Sequence, residues 1–165
     1  MISNRPILIG LCAVLTMSAV PVLIKSTEAN SVTIGIVRLL IAVLAFAPVI
    51  VYRKRLFRLE GTQWRQLLVI GLIFGIHWLA YFFSIKLATA AIAALTILTY
   101  SVQYLILAWW FNGERVSPME WLAIAACFAG CVIAAPELSL ANDVTLGILV
   151  GLFSALLYAA LPLLH

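Results

Sequence analysis

Residues 146–165, LGILVGLFSALLYAALPLLH, are almost wholly apolar and contain no charged side chain. The hydrocarbon core of a bilayer is about 30 Å thick, and a helix needs about 20 apolar residues to cross it. This stretch therefore predicts a membrane-spanning helix.

The rest of the chain has the same character. The 165 residues are 65% hydrophobic and 10% charged, so they lack the polar surface that a soluble domain needs. Six apolar segments of spanning length can be assigned. They are residues 6–24, 32–52, 66–85, 88–111, 119–135 and 146–164. The predicted fold class is an all-α integral membrane protein with six transmembrane helices.

The last segment repeats the first. Residues 7–24, ILIGLCAVLTMSAVPVLI, align without a gap on residues 148–165, and eight of the eighteen positions are identical. Leu and Ala match easily by chance in apolar helices, but the pairs Gly10/Gly151 and Pro21/Pro162 do not. This internal repeat predicts a first five-span unit at 1–137. Residues 138–165 are then expected to be a connection and the first helix of a second unit whose remainder is missing.

The distribution of basic residues predicts the orientation. The connection 53–65 carries five arginine and lysine residues and is therefore expected in the cytoplasm. Alternation then puts seven basic residues inside and two, Lys25 and Lys86, outside, and it makes the N-terminus cytoplasmic. Because five spans is an odd number, the second unit would be inverted. Inverted repeats are typical of transporters, with the substrate site near the bilayer midplane.

Several segments carry a resemblance to a known family. The most specific is GERVSPMEW at residues 113–121, supported by Lys25 at the end of the first span, VRLLIA at 37–42 and IKLATAAIAAL at 85–95. In these features the chain resembles the EamA-type members of the drug/metabolite transporter superfamily. Many members carry a proline in the fourth span where this chain reads TYSVQY, residues 99–104, so a helix break there is not predicted from the sequence.

The resemblance implies a ten-span transporter, here truncated, in the bacterial cytoplasmic (inner) membrane. It implies export of a small metabolite or an amino acid by alternating access. The expected partners are a small-molecule substrate, the lipid bilayer and the missing C-terminal half. A small structural or regulatory membrane protein without transport activity, or an inactive fragment, is the alternative.

Other classes of function find little support in the residues. Only Arg38 and His77 are ionisable within the spans apart from the cysteines, and no acidic residue accompanies them, so an enzyme is not predicted. Cys12, Cys127 and Cys131 fall inside spans and are interpreted as small apolar residues, so no metal site and no cofactor are expected. The basic residues lie beside spans, where they set topology, and do not indicate nucleic-acid binding.

The turn between the fourth and fifth spans has a local explanation. Gly113 is expected to end one helix in the left-handed conformation. Ser117, Pro118 and Glu120 then form a capping box at the start of the next helix.

Polar side chains at similar depth predict one cavity. At 1.5 Å per residue, Arg38 lies about 9 Å and His77 and Thr96 about 12 Å below the outer edge. Such groups are costly against lipid, so they are expected to face each other. The predicted substrate-binding residues are Arg38, His77, Trp78, Tyr81, Thr96, Tyr100 and Gln103.

Two interpretations stay open at three of these positions. Arg38 either meets an anionic substrate group or snorkels to the outer surface. His77 either carries a proton or only forms a hydrogen bond between helices. The hydroxyl of Thr96 either lines the cavity or bonds back to its own helix.

Overall fold

The computed structural model describes residues 4–53, 60–134 and 143–164, and within these ranges all regular secondary structure is helical. Most of the basic connection and the predicted boundary at 137–138 lie outside the described residues. The helices are α1 (Asn4–Ser26), α2 (Ser31–Arg53), α3 (Gly61–Leu87), α4 (Ala90–Leu98), α5 (Tyr100–Asn112), α6 (Pro118–Ala134) and α7 (Asp143–Ala160), which continues into a 3₁₀ turn (Leu161–Leu164).

Five helical segments of the described chain are long and apolar enough to cross a membrane. Here α4 and α5 act as one span, Ala90–Asn112, and α7 with its 3₁₀ turn forms another, Asp143–Leu164. The fifth predicted segment, residues 119–135, corresponds to a shorter apolar helix, Pro118–Gly130. The predicted all-α membrane fold is confirmed.

The fourth span is interrupted at Thr99, although it has no proline there. The backbone N–H of Thr99 bonds to the carbonyl of Thr96 at 3.2 Å, as in a 3₁₀ turn. The Thr99 hydroxyl donates to the same carbonyl at 2.6 Å, and it accepts from Gln103 Nε2 at 3.0 Å. A hydroxyl that bonds back to its own helix can bend it, so side-chain hydrogen bonds produce a break that the sequence did not predict.

The turn after α5 has the predicted structure. Gly113 has φ 66° and ψ 21°, the left-handed conformation that glycine adopts without strain. Glu120 Oε2 accepts from the Ser117 N–H at 2.6 Å, and Ser117 Oγ accepts from the Glu120 N–H at 3.3 Å. These two bonds are the capping box, so the prediction is confirmed.

Helix α3 lies at the centre of the bundle, where it contacts α1, α2, α4 and α7. The most extensive contact in the described chain is between α3 and α7. It depends on Gly151, where an added Cβ would lie 2.7 Å from Ser84 Oγ and 3.0 Å from Thr96 Cβ. By contrast, α1 and α2 bury little of their apolar surface, as expected of helices that face lipid or further helices.

Candidate functional site

A cavity of about 490 Å³ lies between α1, α2, α3, the α4–α5 break and α7, and we call it the central cavity. Its volume falls in the range of about 300–1,000 Å³ that is usual for small-molecule sites. Its lining residues are Met17, Val20, Pro21, Arg38, Phe74, His77, Trp78, Tyr81, Ile97, Leu98, Tyr100 and Tyr158. Five of the seven predicted site residues are therefore brought together: Arg38, His77, Trp78, Tyr81 and Tyr100.

Arg38 provides the one formal positive charge among these lining residues. Its guanidinium carbon Cζ lies 3.7 Å from the centroid of the Trp78 ring, so the side chain crosses from α2 to the face of α3. This is cation–π geometry, which holds the guanidinium plane in place. Among the described residues, no carboxylate forms an ion pair with it and no acceptor takes its N–H groups. The donors of Arg38 are therefore available to a ligand.

His77 joins α3 to α7. Its Nδ1 lies 2.9 Å from both the carbonyl oxygen and the Oγ of Ser154, and Ser154 Oγ donates to the His77 carbonyl at 2.9 Å. Because the serine proton is used on that carbonyl, Nδ1 must carry a proton to bond to the Ser154 carbonyl. In the neutral ring, Nε2 then holds the lone pair. His77 is thus an interhelical hydrogen bonder that also lines the cavity, and a proton-carrying role stays a prediction.

Aromatic rings form much of the cavity wall. The rings of His77 and Tyr158 stack with centroids 4.8 Å apart, and Trp78 meets Phe74 edge-on at 6.0 Å. Tyr81 meets Trp78 at 6.0 Å and is only 7% exposed. The cavity therefore combines one guanidinium with an aromatic surface, which suits a ligand with an anionic group and an apolar body.

The other two predicted site residues lie outside the central cavity. Thr96 is 3% exposed, and its hydroxyl donates to the Ala93 carbonyl of its own helix at 2.9 Å. Gln103 Nε2 donates to Thr99 Oγ1 and, at 3.3 Å, to the carbonyl of Leu152 on α7. Both side chains contribute to helix packing in this structure.

Sequence reasoning missed several lining residues. Phe74 precedes His77, Trp78 and Tyr81 at helical spacing, so the period of α3 alone could have included it. Tyr158 lies on α7, which the sequence indicates only as the start of a second unit, so no sequence pattern points to Tyr158 as a lining residue. Met17 is the repeat partner of Tyr158, and each lies four residues before a proline. Since proline has no N–H, the carbonyls of Met17 and Tyr158 both lose their usual helical donor.

The sequence model of the EamA-like transporter family matches residues 4–135. That match covers most of the chain and five of its six apolar segments. The chain belongs to the EamA-like transporter family. This membership establishes an integral membrane protein of a transporter family, as the resemblance implied.

A curated relative from Sinorhizobium sp is described as an uncharacterized transporter in the cobO 3′ region. It is 36% identical to this EamA-like chain over 77 residues. The match spans 47% of this chain and 55% of that protein, so the chain spans about half the length of the curated relative it matches. No solved structure matches the chain significantly.

Proposed function

We propose that this EamA-like protein carries a small metabolite with an anionic group, such as an amino acid, across the bacterial cytoplasmic membrane by alternating access. In this proposal the N-terminus lies in the cytoplasm. The distribution of basic residues favours this orientation, with seven on the predicted inner side and two on the outer side. The direction is export, as the family resemblance implies. The central cavity binds the substrate on one side of the membrane and releases it chemically unchanged on the other.

The observation that carries the proposal is the state of Arg38. Its guanidinium is held over Trp78 at 3.7 Å, and no described residue neutralises it. A charge within the membrane is expensive unless it is used or paired. A carboxylate that enters the central cavity would pair with it through two N–H groups, while the aromatic wall contacts the rest of the ligand.

Helix α7 also supports the proposal. Tyr158 lies on the helix that repeats α1, and it lines the central cavity together with Arg38 and Trp78. The cavity is thus lined by the first five-span unit and by the first helix of the predicted second unit. We infer that a full second unit of opposite orientation takes part in transport.

Inside-out membrane vesicles from bacteria that produce the complete protein, this chain together with the proposed second unit, provide the test. Uptake of labelled amino acids should exceed that of vesicles without the protein, and it should saturate. Arg38→Ala removes the guanidinium that pairs with the ligand. A hydrogen bond to a charged group contributes about 1.5–3 kcal/mol, so the apparent affinity should fall about 10- to 150-fold.

The matched control is Arg115→Ala, which removes an exposed arginine from the turn after α5. Uptake by this variant should equal that of the unmodified protein. Equal uptake by vesicles with and without the protein, for every small anionic or zwitterionic compound offered, would favour the non-transporting alternative. A normal affinity in Arg38→Ala would remove Arg38 from the binding site.

A further inference from the structure

A second cavity adjoins the central cavity and shares two tyrosines with it. This lower cavity has a volume of about 320 Å³ and lies between α3, α5 and the end of α7. Tyr100 and Tyr158 line both cavities, whereas Ile70, Tyr104 and Pro162 line the lower cavity and not the central one. The two tyrosines therefore form the partition between the cavities.

The tyrosine pair has the geometry of a weak, specific contact. The ring centroids of Tyr100 and Tyr158 are 4.9 Å apart and the ring planes meet at 72°, which is the edge-to-face arrangement. Tyr100 is 36% and Tyr158 37% exposed, so neither ring is locked into the core. A pair of this kind favours the closed arrangement by about tenfold or less, so the rings can separate without unfolding the helices.

Both tyrosines stand next to an interruption in their helix. Tyr100 directly follows the break at Thr99, and Tyr158 lies four residues before Pro162, where α7 becomes a 3₁₀ turn. Hinges in transporters and enzymes are few residues at the ends of elements, where backbone angles can change. Helix α5, which begins at Tyr100, can thus change its angle to α4 while α7 keeps its contacts with α3.

The lower cavity lies on the side where α5 and α7 end. That side is cytoplasmic in the predicted topology. A third cavity, with Arg65 and Gln66 in its lining, shares Ile70 with the lower cavity and lies nearer the start of α3. The cavities thus follow one another from the central cavity towards the same membrane surface.

We propose that Tyr100 and Tyr158 form the inner gate of the transport route, and that separation of their rings connects the central cavity with the cytoplasm. This inference rests on the proposed transport function. It adds that the aromatic pair, and not the bulk of the helices, closes the route on the cytoplasmic side in this structure.

Accessibility of a reporter cysteine tests the gate without requiring transport. Val20 lines the central cavity and not the lower one, so Val20→Cys is introduced into protein whose native Cys12, Cys127 and Cys131 are replaced by alanine. Inside-out vesicles are treated with a membrane-impermeant maleimide. Labelling should be slow with both tyrosines present, and Tyr158→Ala should accelerate it at least fivefold.

Three further variants make the result specific. Tyr100→Ala should accelerate labelling as Tyr158→Ala does, and Tyr158→Phe should stay slow because it keeps the ring. Tyr52→Ala, which removes an exposed tyrosine outside both cavities, should also leave the rate unchanged. Equal labelling rates in Tyr100→Ala, Tyr158→Ala and the Val20→Cys protein that keeps both tyrosines would overturn the gate. Fast labelling of that unsubstituted Val20→Cys protein would do the same. The labelling rate is measured without substrate. Failure of the proposed transport function can therefore be distinguished from failure of the proposed gate.

Discussion

Gly151→Ala should destabilise the protein, because Gly151 lets α7 pack closely against Ser84 of α3 and Thr96 of α4. An added Cβ would approach Ser84 Oγ to 2.7 Å and Thr96 Cβ to 3.0 Å, and it would lie closer still to Thr96 Oγ1. Both hydroxyl-bearing side chains are buried, so they have little room to turn away. The helices themselves must separate.

The size of the effect follows from these distances. Ser84 Oγ would have to retreat by about 0.7 Å to reach the 3.4 Å at which ordinary van der Waals contact begins. Overpacking of this kind costs about 1–3 kcal/mol. Replacing glycine by alanine in a helix returns about 0.5–1 kcal/mol through backbone entropy. The matched control is the repeat partner Gly10, where an added Cβ meets nothing within 4 Å, so Gly10→Ala should be neutral or slightly stabilising.

The two variants of the 165-residue chain can be compared by unfolding in mixed detergent and sodium dodecyl sulfate, followed by tryptophan fluorescence. The free energies of unfolding should differ by about 1–3 kcal/mol, or about 5- to 150-fold in the equilibrium constant. Indistinguishable unfolding of Gly151→Ala and Gly10→Ala would refute the close packing of α7 against α3 and α4.

Three further predictions concern other parts of the chain. Arg115→Cys, in a background without native cysteines, should resist an impermeant reagent added outside cells, and labelling there would reverse the assigned orientation. A double-mutant cycle of His77→Phe and Ser154→Ala should give a coupling free energy of about 0.6–1.7 kcal/mol, and additive effects would show that their hydrogen bonds stabilise nothing. Lys25 donates to the carbonyls of Lys86 and Ala88 at the end of α3, so Lys25→Met should speed amide exchange there, and unchanged exchange would show that the contact is unimportant.

The sequence predicted the spans and the turn at 113–117 because their causes are local. Bilayer thickness sets the length of an apolar helix, and a capping box is complete within four residues. The break at Thr99 was not predictable in the same way. It depends on the rotamers of Thr99 and Gln103, and Gln103 also reaches α7, so tertiary contact helps to place the break.

For the site, the depth of a side chain in the membrane was predicted more accurately than the neighbour it faces. Counting residues from the span ends placed Arg38 and His77 near one level, and both line the central cavity. Thr96 lies at the same depth but faces Gly151 on α7, because depth along a helix does not specify which neighbour a side chain meets. The neighbour is decided by the packing of α7, which no local pattern in the sequence describes.

The central claim is that Arg38 binds the anionic group of a transported molecule, and the most direct measurement compares a carboxylate with its carboxamide. Inside-out vesicles should take up a transported amino acid in preference to the matching amino-acid amide, which has the same side chain but a carboxamide in place of the α-carboxylate. A hydrogen bond to a charged group contributes about 1.5–3 kcal/mol and one to a neutral group about 0.5–1.5 kcal/mol, so the ratio of the two apparent affinities should be about 5- to 10-fold. In Arg38→Ala this ratio should fall towards one, while Arg115→Ala should keep it. A preference for the acid that persists unchanged in Arg38→Ala would contradict the account.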